Sequence, residues 1–167
     1  MRHLFPIMPL AIALGLPAPA FAELIDNFGD WSAFVETEAA GTTCFIASEP
    51  KKSKGEYAKR GDVNFMVTHR PAEKSLNVIS FDSGYTYQSG SEAVVAVGKS
   101  EFRLFTDGGV AWAYDAEADK ALVGAMRAGS TMTITGTSNR ETLTVDTYSL
   151  TGFAAAYAAV NKACGIK

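Results

Sequence analysis

About nine short β-forming runs follow one another through the middle of this chain, divided by turn residues every eight to twelve positions. They are Trp31–Thr37, Thr42–Ala47, Val63–His69, Leu76–Phe81, Val94–Val97, Glu101–Phe105, Val110–Tyr114, Thr131–Thr135 and Glu141–Tyr148. Several alternate apolar with polar residues, as a strand does when one face is covered. Met132 with Ile134 and Leu143 with Val145 are the apolar sets of the last two runs. Trp112 and Tyr114 alternate with alanines and are read as strand core. Gly98, the Asp107-Gly108-Gly109 turn and Gly136 to Asn139 supply hairpin connections. Repeated strands with tight turns predict a mainly β, single-domain β-sandwich, with a closed barrel as the alternative.

Two helices interrupt or end the series. Asp115 caps a pattern in which Ala118, Leu122, Val123 and Met126 form an apolar stripe before Gly129. Near the C-terminus Phe153, Tyr157, Val160 and Cys164 share one helical face, with Thr151 as the expected cap and Gly165 as the stop.

Residues 1–22 carry Arg2, an apolar run to Leu16 and Ala20-Phe21-Ala22, the pattern of a secretory signal cleaved before Glu23. A single domain over 23–167 and a periplasmic location follow as expectations, with outer-membrane association or secretion as further possibilities and no membrane-spanning segment in the mature form. Both cysteines, Cys44 and Cys164, lie after the cleavage point. Exported thiols pair, so a Cys44–Cys164 disulfide is predicted, against the alternative of two buried free thiols.

The chemistry is sparse. His69 is the one histidine after the leader, which rules out a multi-histidine metal site, and its strand-end position suits a hydrogen-bonded structural role. Ser48-Glu-Pro-Lys51 has S-x-x-K spacing, but Pro50 breaks the helix that would align Ser and Lys. Asp115-Ala-Glu-Ala-Asp119 begins like a calcium loop, but Lys120 stands where glycine is needed. No cofactor motif is present, and the formal charge of −3 gives no reason to expect a nucleic-acid partner.

Two stretches could form an interaction surface. Lys51, Lys52, Lys54, Lys59 and Arg60 make a basic run, read either as a polyanion patch or as a solvated hairpin loop. Tyr85 and Tyr87 sit in a glycine-flanked loop, as an exposed recognition pair or folded back over the end of the sandwich.

Cys44-Phe-Ile-Ala-Ser-Glu-Pro-Lys-Lys, Arg60-Gly-Asp, Val67-Thr-His-Arg-Pro71, Phe105-Thr-Asp-Gly, Ala111-Trp-Ala113 and Ser149-Leu-Thr-Gly-Phe with the terminal Cys164 together resemble the invasion-associated locus B family of bacterial exported proteins. The resemblance implies an immunoglobulin-like β-sandwich in the cell envelope of an alphaproteobacterium, with no established catalytic residues to carry over. The leading expectation is therefore a non-catalytic periplasmic or surface-associated binding module, its partner an unspecified envelope component or protein. The alternative is a hydrolase using a carboxylate pair such as Asp82 with Asp107.

Overall fold

A computed structural model describes residues 22–166, so residues 1–21 of the expected leader lie outside the described residues. The strands are β1 (Glu23–Phe28), β2 (Trp31–Glu38), β3 (Gly41–Ser48), β4 (Lys52–Lys54), β5 (Asn64–Arg70), β6 (Ser75–Asp82), β7 (Glu92–Val97), β8 (Ser100–Asp107), β9 (Val110–Trp112), β10 (Thr131–Thr137) and β11 (Leu143–Ser149). They join in one sheet of order β1-β2-β3-β5-β6-β9-β8-β7-β10-β11-β4, with every pairing antiparallel. The mainly β class is as expected. This one ladder curls on itself: Phe65 of β5 and Phe81 of β6, far along the ladder from β11, meet the Tyr148 ring at 6.1 and 6.4 Å. Trp31 packs edge-on against Phe65 and Phe153 in the same buried cluster.

Each predicted strand is present within a few residues of its expected bounds. Two were not foreseen, β1 and the three-residue β4, because both are largely exposed and lack apolar alternation. In β9 the inward position goes to Ala111, opposite Phe81 and Thr106. Trp112 therefore faces outward, stacked on Phe105 at 5.7 Å, and Tyr114 is 58 % exposed. This corrects their reading as core: a small residue is what the bulky Phe81 leaves room for on the inside.

Helix α1 (Ala116–Ala128) is capped as expected, with the Ala118 N–H donating to Asp115 Oδ1 at 2.8 Å. It also repairs the sheet. β9 pairs with β6 only from Ser80 to Asp82, and the next inward amide on β6, Ile79 N–H, donates to Asp119 Oδ1 of α1 at 2.8 Å. Asp119 thus acts as the missing acceptor of the ladder, although burial pushes its carboxyl above the usual range. Asp119→Ala should cost about 1–3 kcal/mol by orphaning that amide, whereas Asp119→Asn, which keeps an oxygen acceptor and removes a buried charge, should cost far less. Urea unfolding of the two variants checks this; equal losses would contradict it.

Helix α2 (Phe153–Ala163) buries Phe153, Ala156 and Val160. Its N-cap is Gly152 rather than Thr151, with no side-chain capping bond. The reason is steric: at Gly152 φ is +89°, and a Cβ would stand 1.7 Å from the Phe28 carbonyl oxygen. Thr151 instead accepts the Asp30 N–H on its carbonyl. At the other end Gly165 N–H bonds Lys162 O and Ile166 N–H bonds Asn161 O, a Schellman closure around the predicted stop. Cys164, at the helix end, is bonded to Cys44 of β3, with Cα atoms 6.0 Å apart.

His69 lies opposite Cys44 in the β3–β5 ladder and is fully buried. Its Nδ1 accepts the Asn77 N–H at 3.0 Å, which places the ring proton on Nε2, and the Asn77 side chain accepts from Tyr157 Oη at 2.6 Å. Among the described residues Nε2 has no hydrogen-bond partner, and burial lowers the pKa below the ordinary 6.5. The unfolded chain therefore takes up a proton at this residue before the folded one does, so stability is full above about pH 6.5 and falls as pH drops toward the folded value. Denaturant midpoints measured from about pH 7.5 down to about pH 5 should show this slope in the native protein and lose it in His69→Gln.

Candidate functional site

The inward face of β11 sets the floor of the site. It carries Thr144, Asp146 and Tyr148, while Leu143 is exposed and Val145 only half-buried, which inverts the parity expected from the apolar pair. Tyr148 decides the matter, because its ring fills the centre of the core and the two-residue period then carries Asp146 inside with it.

A carboxylate so placed needs partners, and Arg60 supplies them. Its Nη1 and Nη2 donate to Asp146 Oδ1 and Oδ2 at 2.8 and 2.6 Å, its Nε donates to Ser83 O at 2.7 Å, and Ser53 Oγ adds a bond to Oδ1 at 2.6 Å. The side chains of Arg60 and Asp146 are 6 % and 1 % exposed. Burial works against the guanidinium charge, but the hydrogen bonds and charge of Asp146 more than offset it and hold the pKa above its ordinary value. The guanidinium carbon lies 5.5 Å from the Tyr57 ring centroid and 5.1 Å from that of Tyr85, so two π faces also fix it.

Glycines allow this packing. Gly61 N–H donates to Gly84 O at 2.8 Å, and Gly84, at φ +69°, comes so near that a Cβ would stand 2.5 Å from the Gly61 oxygen. On β10, a Cβ at Gly136 would stand 2.7 Å from the Tyr85 hydroxyl. Its absence lets Tyr85 and Tyr87 lie against β10 and meet edge to face at 5.2 Å, with Tyr85 Oη 2.7 Å from Thr144 Oγ1. Burial raises the pKa of both phenols, keeping them neutral.

Above this floor opens a cleft of about 560 Å³ between the loop from Glu56 to Gly61, the segment Gly84 to Thr86 and the turn from Ser138 to Thr144. Lys59 and Arg140 stand exposed on two of its walls, opposed by one acid, Glu56. Thr86, Asn139 and Thr142 add hydroxyl and amide groups. Among the described residues no group of three or more His, Cys, Asp or Glu is arranged to hold a metal ion.

The profile of the invasion associated locus B (IalB) protein family matches residues 31–161, from the start of β2 into α2. The chain belongs to the IalB family. No curated protein and no solved structure matches it. The IalB match includes the whole cleft, with Arg60 and Asp146.

The residues singled out in the sequence fall into different places. Lys51 is paired with the Asp30 carboxylate, holding that carboxyl below its usual range, and Ser48 Oγ donates to Asp30 O at 2.7 Å. The S-x-x-K residues therefore converge on Asp30, with neither in the cleft. Lys52 and Lys54 are exposed on β4, against Thr147 and Val145 of β11, where a loop was one reading. Lys59 reaches the cleft rim. Arg60 is no solvated member of a basic patch but a buried structural cation, because Asp146 lies within its reach. Tyr85 lines the cleft, while Tyr87, at 4 % exposure, belongs to the core and is corrected as a surface residue. Asp82 and Asp107 are both exposed and flank Val110 of β9 from β6 and β8, outside the cleft. Sequence reasoning missed Tyr57, Asn139, Arg140 and Asp146. The available signal was parity: Asp146 and Tyr148 are two apart, so a Tyr148 ring turned inward carries Asp146 with it.

Proposed function

We propose that this IalB-family protein is exported to the cell envelope and works there as a non-catalytic binding module whose ligand sits in the cleft over Arg60. The observation that carries this reading is the rigidity of the floor: a guanidinium locked by a bidentate carboxylate, a backbone carbonyl and two rings fixes the base of the cleft, which suits binding at low ordering cost. The groups around it suit recognition better than bond cleavage. Lys59 and Arg140 are exposed cations, the phenols are held neutral, and Asp146 is saturated by Arg60 and Ser53. Export is supported by the leader pattern and by the long-range disulfide, which persists in oxidising compartments.

The carboxylate-pair hydrolase is less well supported, since Asp82 and Asp107 stand on an open strand face with Val110 between them. Affinity capture from envelope extracts tests the proposal, using the mature protein beside a Lys59→Ala/Arg140→Ala variant. A component recovered by the first and lost by the second is the expected result; recovery unchanged by the rim substitutions would move the binding surface elsewhere. Fractionation should place the protein, cleaved before Glu23, with the periplasmic contents, and an unprocessed cytoplasmic protein would overturn the export half.

A further inference from the structure

We infer that the ligand class of this cleft is an acidic saccharide, a proposal that rests on the cleft being the binding site. Among the described residues Arg60 commits three of the roughly five N–H groups a guanidinium owns, so donors remain on a side chain that lines the cleft and is 6 % exposed. Because Asp146 already balances its charge, Arg60 offers oriented donors without net attraction, which matches the neutral oxygens of a sugar better than a dense anion. Net positive charge comes from the rim, where Lys59 and Arg140 outnumber Glu56 and favour a ligand with sparse negative charge.

The walls narrow the class further. Thr86, Asn139 and Thr142 both donate and accept, as sugar hydroxyls do, whereas a fully ionised phosphate group offers acceptors alone. Tyr57, 38 % exposed, presents an amphipathic ring of the kind a sugar's C–H face stacks on. An extended peptide finds little purchase, because the backbone N–H groups of Gly61, Ser138 and Asn139 are already bonded to Gly84, Thr142 and Thr86. The volume, about 560 Å³, falls within the range of roughly 300–1,000 Å³ typical of small-ligand sites.

The test is a titration of the mature, disulfide-bonded protein followed by amide NMR shifts. The probes are trimers of galacturonate, glucuronate and mannuronate, their neutral methyl esters, inorganic phosphate and triglutamate. At least one uronate trimer should move the amides of Thr86, Asn139 and Thr142. Its methyl ester should bind about tenfold more weakly or worse, as loss of a charge-assisted hydrogen bond implies. Lys59→Ala/Arg140→Ala should erase that preference with the remaining spectrum unchanged. Equal binding of ester and acid, or equally strong binding of phosphate or triglutamate, would overturn the assignment. Silence from every uronate would overturn it too, and the capture experiment then separates the cases: capture still lost in the rim variant keeps the cleft as the binding site for another ligand class, and capture retained removes both.

Discussion

Truncating Asp146 to alanine is expected to lower stability by about 3–5 kcal/mol, because it leaves the Arg60 guanidinium buried with its main counter-charge gone. The loss reaches beyond one ion pair. Arg60 bridges the loop after β4, the Ser83 carbonyl beyond β6 and the inward face of β11, so an unpaired Arg60 must leave the interior and take the loop from Glu56 to Gly61 with it. Arg60→Met alone should also destabilise by stranding Asp146 with Ser53 as its remaining side-chain partner. The double variant Arg60→Met/Asp146→Leu should recover much of the loss, since apolar replacement of a whole buried pair is often neutral or better. Chemical denaturation of the native protein, Arg60→Met, Asp146→Leu and the double variant gives the coupling directly. Additive single losses, with no recovery in the double, would mean that the pair does not act as the anchor of this loop.

Removing the Cys44–Cys164 bond is the second large effect expected. It closes a separation of 120 residues, and on the chain-entropy account its loss costs on the order of 5 kcal/mol. The folded contacts of α2 do not vanish with it: Phe153 still packs on Trp31, and Tyr157 still reaches Asn77. Cys44→Ala/Cys164→Ala should therefore keep the native spectrum under mild conditions while its guanidinium midpoint drops sharply. Hydrogen exchange should accelerate first in the last turn of α2, where the Schellman closure no longer has a covalent neighbour. A midpoint that does not move, with or without reductant, would show that packing alone holds α2.

Much of this architecture can be read from residues. Strand positions follow from short alternating runs, the turns from Gly98 and Gly108, and the α1 cap from Asp115, because each depends on local backbone preference. The disulfide follows from the expectation that an exported chain pairs its two cysteines. What local pattern misses is which face of a strand wins. At β11 the pair Leu143 and Val145 loses to the single ring of Tyr148, and at β9 Ala111 displaces Trp112 from the interior, since both outcomes depend on what the opposite strands supply. The candidate site was the least legible part for the same reason. Arg60 and Asp146 lie 86 positions apart and become a unit only through the curl of the sheet. Lys59, one residue from Arg60, stays on the rim, so a run of basic residues divides into a core cation, a lysine paired with Asp30 and exposed surface charges.

The sheet is a ladder with two ends, and neither end invites growth. β4 is three residues long and carries Lys52 and Lys54, both exposed, so a second copy arriving through its own β4 meets repelling ammonium groups, and any strand finds few backbone bonds there. At the opposite end β1 has a register shift between Leu24 and Asp26 and bears Glu23 and Asp26. A bulged strand gives an incoming one no regular ladder to extend. Two of the lysines that looked like candidates for ligand binding thus have a use that needs no ligand, keeping one copy of the sheet from fusing to the next. Changes at Lys52 and Lys54 belong to the colloidal behaviour of concentrated protein, a property separate from anything that occupies the cleft.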